Sequence, residues 1–319
     1  MLAVLTVGAW GCTGEDLEVN AAEPELEPLR LGRVHVVLEP EHDPNEEGEP
    51  DESSFGDWDA FEVTARFAFV RGLDEDFVRA RIDMPVLPSD VMAPGSCIAS
   101  EQLYAAEQSE SSRGELLLVD AGDLRMQVGS EPASAFEVPV SLVPDLLPYM
   151  SGVEYLYYAE ELPSGVTDEA GGGGGAAVVV EAKGSGSPDH GTELPAFRAE
   201  GVVPAVLGLH VTEEDLYELR RQALVLRWQG AAESDDVVTL RITGLQGGEP
   251  TGTELTCVVT DAGQTRLAFD TLRPLGLMLD AEALRVTVSR LQTASFDAGD
   301  FVGSELFVER REELVVPLR

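Results

Sequence analysis

The nine residues Phe61-Glu62-Val63-Thr64-Ala65-Arg66-Phe67-Ala68-Phe69 set Phe61, Val63, Ala65, Phe67 and Phe69 alternately with Glu62, Thr64, Arg66 and Ala68. Successive side chains of a strand point to opposite faces, so this period of two predicts a half-buried strand with one face on a core and one in water. Similar runs follow at 77–86, 115–119, 124–128, 136–143, 153–159 and 177–182, separated by clusters of Asp, Gly, Ser and Pro. The second half repeats the pattern at 223–228, 237–243, 253–260, 266–269, 284–291, 305–309 and 313–316. Short strands with turn signals between them predict an all-β sandwich or barrel.

The expected architecture is two packed, immunoglobulin-like β-sandwich domains, residues 61–204 and 205–319, with Trp228 as a core aromatic of the second. The cysteine spacing of true immunoglobulin domains is missing, because Cys257 follows Trp228 and no cysteine precedes it at the usual interval. One segment reads as a short helix. Residues 212–221 have Leu216 and Leu219 three apart, a Thr212 cap, and Glu213, Glu214 and Asp215 in the first turn. Residues 165–190 hold the glycine run Gly171–Gly175 and then Gly184-Ser185-Gly186-Ser187-Pro188, which predicts a mobile loop on each side of the 177–182 strand.

Upstream, residues 13–62 contain seventeen acidic side chains against Arg30 and Arg33, with prolines at 24, 28, 40, 44 and 50. This composition predicts an acidic flexible arm over 13–60. Within it, Leu31 to Leu38, with Val34, Val36 and Val37, also fits a strand that pairs with the body. The segment 1–12 begins with an uncharged apolar run that ends at Gly11-Cys12 and turns polar at once. It is too short to span a bilayer, which takes about 20 apolar residues, and it resembles a bacterial lipoprotein signal segment. That resemblance implies that Cys12 is lipidated and becomes the mature N-terminus, tethering the chain to the cell envelope outside the cytoplasm. The competing reading is a buried N-terminal strand with an incidental cysteine.

The whole chain carries 21 basic and 59 acidic residues, a formal net charge of −38. Such a charge repels phosphate backbones and anionic headgroups, so nucleic acid is excluded as a partner and the membrane is reached only through the lipid. Lys183 is the single lysine. The excess of carboxylate over lysine also fits a surface kept hydrated in high salt. With Cys12 lipidated, Cys97 and Cys257 are left. They form either a disulfide across roughly 160 residues in an oxidising compartment or two separately buried thiols.

Trp228 closing a Leu-rich strand, followed by the Cys257, Asp261, Gly263 strand and turn, resembles exported proteins, uncharacterised in activity, that are common in myxobacteria and their relatives. The upstream Cys97, Asp120 and Gly122 are similar to the same group, over roughly residues 95–319. The resemblance implies an exported β architecture and no particular activity.

The histidines are His35, His42, His190 and His210, none in an evident rigid pocket beside a nucleophile. The chain contains no G-x-S-x-G elbow, Walker loop, H-E-x-x-H or dinucleotide fingerprint, and the glycine run lacks the Lys and Ser/Thr of a phosphate loop. Asp43, Asn45, Glu47, Gly48 and Asp51 match part of a calcium loop, but Pro50 and Ser54 stand where an apolar residue and a bidentate Glu belong. Weak calcium binding in Asp-rich turns has candidates in Asp57 and Asp59, Asp120 and Asp123, Asp235 and Asp236, and Asp297 and Asp300. Each pair equally fits an ordinary turn. No other metal or cofactor is expected. The expected function is a non-enzymatic surface or periplasmic lipoprotein, structural or ligand-binding, with a cell-surface glycan or protein as ligand. The alternative is a carboxylate-dependent extracellular glycan hydrolase. It would need paired carboxylates and an aromatic wall, for which Tyr155, Tyr157 and Tyr158 are the one dense cluster.

Overall fold

In the Phe61–Phe69 run, Phe61, Val63, Ala65, Phe67 and Phe69 are all buried, while Glu62 is exposed and Thr64 and Arg66 are half-buried; Ala68, expected on the water face, is instead buried with Leu31, Val70, Leu116 and Leu118 in a smaller core on that face. A computed structural model of the chain describes residues 28–40, 58–73, 78, 88–100, 115–130, 134–147, 150–159, 175–185, 193–219, 223–230, 236–251, 254–272 and 281–318. Its elements in chain order are β1 (Leu29–Pro40), β2 (Trp58–Arg71), α1 (Pro88–Val91), β3 (Ser96–Ala99), β4 (Glu115–Leu118), β5 (Leu124–Val128), β6 (Phe136–Val138), β7 (Val140–Leu147), β8 (Met150–Ala159), β9 (Ala177–Ala182) and β10 (Phe197–Val202). There follow α2 (Glu213–Leu219), β11 (Ala223–Arg227), β12 (Val237–Gln246), β13 (Glu249–Pro250), β14 (Leu255–Thr260), β15 (Gln264–Ala268), α3 (Phe269–Leu272), β16 (Ala283–Ser295) and β17 (Glu305–Pro317). The protein is mostly β, as its alternating runs imply.

Eleven strands form one mixed sheet in the order β3-β14-β12-β16-β17-β1-β2-β4-β8-β7, with β13 paired to β12. This sheet takes strands from both sides of residue 204 and is continuous through them. A four-stranded sheet, β10-β9-β5-β6, and a two-stranded sheet, β11-β15, complete the β structure of the described residues.

Of the arm expected over 13–60, residues 29–40 form β1 in the middle of the large sheet, parallel to β17 and antiparallel to β2, so the strand reading of Leu31 to Leu38 holds there. Leu31, Val34, Val36, Val37 and Leu38 are buried there, and burying that much apolar surface outweighs the acidic composition on either side. Most of the remaining arm lies outside the described residues. So does the strand expected over 77–86, apart from Val78, and so does most of the 165–190 loop. The two strands expected at 305–309 and 313–316 are the single strand β17.

The long antiparallel pair β16–β17, in unbroken register from Ala283↔Pro317 to Ser295↔Glu305, serves two cores on one face. Near one end, Leu306 and Val308 pack with Val34, Val36, Phe61, Phe67 and the inner residues of β5, β9 and β10. Near the other, Val286, Val288 and Val316 pack with Leu240, Cys257, Leu224, Leu226 and Trp228. The four-stranded sheet therefore covers one part of the large sheet, and β11, β15 and α2 cover the other.

Candidate functional site

Between the two cores, the same face of β16 and β17 carries Arg290, Arg310 and Glu312, all buried. Buried charge is costly unless paired and hydrogen-bonded, and here the partners come from the backbone that passes between the halves. Arg290 donates to the carboxylate of Asp261 through Nε at 2.6 Å and Nη2 at 2.8 Å, and also to the carbonyls of Ala205 and Gln229 at 2.8 Å each. Arg310 donates to the Pro204 carbonyl at 3.1 Å. Glu312 accepts the Leu207 amide at 2.7 Å and the Leu209 amide at 2.8 Å. The extended segment 203–209 is thus threaded along a charged seam and held at both amides and carbonyls.

Asp261 is fully buried and also accepts the indole N–H of Trp228 at 2.7 Å. It begins one of three Asp-Ala-Gly turns, at 120–122, 261–263 and 297–299, whose glycines all have positive φ (74°, 82° and 66°). In the first, Tyr155 plays the part that Trp228 plays in the second: its hydroxyl donates to Asp120 at 2.6 Å and accepts the Ala121 amide at 2.8 Å. Burial, reinforced by the Asp120 carboxylate, pushes the Tyr155 phenol well above its ordinary value. Both turns carry the chain from the large sheet to a covering sheet, β4 to β5 and β14 to β15. A Cβ on Gly122 would lie 2.6 Å from the Gly184 carbonyl oxygen, so only glycine fits that crossing.

Of the Asp pairs weighed for calcium, Asp120, Asp123, Asp297 and Asp300 make contacts with protein groups. Asp120 holds Tyr155 and the Gly122 amide, and Asp123 pairs with Lys183 at 2.6 Å, which holds its carboxyl below the ordinary value. Asp297 accepts the Gly299 amide at 2.9 Å, and Asp300 faces Arg30 at 3.6 Å. The Asp236 carbonyl accepts the Asp261 amide at 2.8 Å. Asp235, Asp57 and the partial calcium loop over 43–54 lie outside the described residues, as do Cys12, His42 and His190. Among the described residues, no three His, Cys, Asp or Glu side chains gather as a metal set.

On the opposite face of the large sheet lies a cluster that sequence inspection missed. His35 Nε2 is 2.8 Å from Glu309, Arg311 forks onto Glu309 at 2.8 and 2.9 Å, and Arg311 also reaches Glu39 at 2.9 Å. Burial alone would raise the Glu309 carboxyl, but the hydrogen bonds from His35 and Arg311 outweigh it and hold the group far below its usual range. A carboxylate held so low braces its partners across the parallel β1–β17 junction and takes up no proton at neutral pH. The signal available in sequence was Glu309-Arg310-Arg311-Glu312-Glu313: under strand alternation, its odd positions face the His35 side and its even positions face the seam. Of the tyrosine cluster, Tyr155 is in the core and Tyr157 packs on Phe61 and Phe136 at ring separations of 6.1 and 4.5 Å, while Tyr158 faces out.

Cys97 and Cys257 are direct partners in the β3–β14 pairing and are joined by a disulfide spanning 160 residues of sequence. The bond pins the far point of an excursion. The chain leaves β2, crosses to the opposite edge of the large sheet to form β3, and returns as β4 beside β2.

No family model matches this chain, and no curated protein is similar to it. Among solved structures it is similar to the yeast delta-COP-I mu-homology domain complexed with a Dsl1 WxWxV peptide, at 7% identity and a TM-score of 0.23, over 89% of this chain and 95% of that one. A likeness of that size carries no argument about fold or function.

Proposed function

We propose that the chain is a non-enzymatic module of the bacterial cell envelope, extracytoplasmic and lipid-anchored through Cys12, that acts as a ligand-binding or structural element. Each core with its covering sheet is taken as an immunoglobulin-like sandwich, the two sharing β16 and β17. The observation that supports this reading is how the buried charge is used: Asp261 is bonded to Arg290 and Trp228, and Arg290 and Glu312 are bonded to the backbone of 203–209. Groups committed in this way rigidify a scaffold, and a rigid β scaffold commonly presents its loops and edges for binding. The Cys97–Cys257 disulfide supports an oxidising compartment.

The test is a glycan and polysaccharide binding screen with and without millimolar calcium, followed by a turnover assay on every hit. Binding without turnover is expected. Bond cleavage that disappears when a carboxylate is neutralised would replace the module with a glycan hydrolase. Metabolic labelling with a fatty-acid analogue tests the anchor: wild type is tagged and Cys12→Ser is not, whereas equal labelling of both ends the lipoprotein reading.

A further inference from the structure

β1 and β17 lie side by side and run parallel, in register from Arg33↔Glu305 to Leu38↔Arg310. Parallel pairing puts the start of β1 and the end of β17 at opposite ends of the pair. Leu29 lies four residues before Arg33 and Pro317 twelve residues after Glu305, a span along the strands of roughly 50 Å at about 3.3 Å per residue. Tension carried by the chain before Leu29 and after Pro317 therefore pulls the two strands along their own axes in opposite directions. Neither can peel away from an edge, because β2 flanks β1 and β16 flanks β17. The backbone hydrogen bonds of the whole β1–β17 register are loaded together.

Side chains across the junction are slanted to resist that motion. Tension draws β1 back toward Leu29 and β17 forward toward Pro317. Arg33 stands opposite Glu305 but lies over the ring of Phe307, two residues further along β17, at 3.6 Å from its centre. His35 stands opposite Phe307 but bonds to Glu309, again two residues further along, at 2.8 Å. Sliding under tension lengthens both contacts at once, whereas the opposite slant would slacken them. Arg311, joined to Glu39 at 2.9 Å, ties the far end of the pair. On the other face Val34, Val36, Leu306 and Val308 are buried in one core, which keeps the strands from parting sideways.

We propose that the β1–β17 junction is a shear clamp, through which the protein bears tension between the chain before β1 and the chain after β17. The proposal rests on the reading of the chain as an anchored structural element and gives that element a mechanical task. The test is single-molecule force spectroscopy on the full chain with Cys12→Ser and the disulfide intact. The chain is held at its N-terminus and at one of two second points, the C-terminus or Val302→Cys, a position 78% exposed just before β17. The first geometry shears the junction, and the second opens it from one end, pair by pair. Rupture in shear is expected at a force at least about twofold higher, because bonds loaded together must fail together. In the shear geometry His35→Ala lowers the rupture force by at least about a fifth, and Glu309→Gln replaces it if it does not fold. Asp215→Asn, which loosens α2 over the other core, lowers the urea midpoint and leaves the rupture force unchanged. Equal forces in the two geometries overturn the proposal, as does a loss of force in Asp215→Asn as large as in His35→Ala. The two failures are separable. Equal fatty-acid labelling of wild type and Cys12→Ser defeats the anchor and leaves the force ratio standing, whereas equal forces defeat the clamp and leave the labelling standing.

Discussion

Arg290 and Asp261 form a two-pronged ion pair, at 2.6 and 2.8 Å, in which the carboxylate is wholly buried and the guanidinium nearly so. The pair sits where the two cores meet and couples three things: the end of β14, the tryptophan after β11, and the carbonyls of the segment between the halves. Asp261→Ala leaves a buried guanidinium without its counter-charge and is expected to cost about 3–5 kcal/mol. The double variant Asp261→Ala/Arg290→Met is expected to lose less than the two single variants summed, because neither charge is then stranded. Urea denaturation of the four proteins measures the cycle.

The Cys97–Cys257 bond fastens β3 to the far edge of the large sheet. Non-reducing peptide mapping is expected to recover the linked peptides. Replacing both cysteines with serine is expected to cost roughly 2–5 kcal/mol. Hydrogen exchange should then rise first in β3 and along the adjoining edge of β14. Two alkylatable thiols in the oxidised, denatured protein would show that the bond does not form.

Asp215 closes a reciprocal cap with Thr212, whose hydroxyl accepts the Asp215 amide at 3.2 Å while Asp215 accepts the Thr212 amide at 3.0 Å. The fork of Arg227 onto it, at 2.8 and 3.0 Å, is the largest influence on its carboxyl. Against the opposing effect of burial, the pKa falls from 3.8 to about 2. A folded-state pKa below the unfolded one means stability that is present above pH 3.8 and lost as pH falls toward 2. With the exposed Arg227 partly screened by solvent, the contribution is on the order of 1–2 kcal/mol. Asp215→Asn is therefore expected to be less stable than wild type at neutral pH, with the gap closing near pH 2. Urea midpoints measured across that range check it.

Tyr155→Phe removes a donor to Asp120 and the acceptor of the Ala121 amide, leaving both inside the turn, at an expected cost of about 1–3 kcal/mol. In wild type, the raised phenol is expected to stay protonated through an alkaline ultraviolet titration carried past the ordinary tyrosine range, so that Tyr155→Phe leaves the titrated amplitude unchanged. Ionisation of all tyrosines together would contradict the buried contact.

Local alternation was enough to place many of the strands, though not β3, β10 or β13. The run at 177–182 is β9 to the residue, and Thr212 with Asp215 marks the start of α2, because side-chain periodicity and capping depend on neighbours within a few residues. What lay beyond reach was decided by partners distant in sequence. Leu29–Pro40 fits a strand by its valines but lies between acidic, proline-rich stretches, and its place in the centre of the sheet is set by β17 and β2 on its two edges. The charged run Glu309–Glu313 looks like a break between two strands, yet it continues one. Its even residues meet the backbone of 203–209, and of its odd residues Glu309 meets His35, Arg311 meets Glu39 and Glu313 meets Arg285, partners that no local rule could supply. Asp120 and Asp297 read as exposed turn residues and are so, and the fold adds the partners Tyr155 and the Gly299 amide. Burial and pairing are properties of the assembled sheet, and with them goes the difference between a charge that holds the scaffold and one that is free to act.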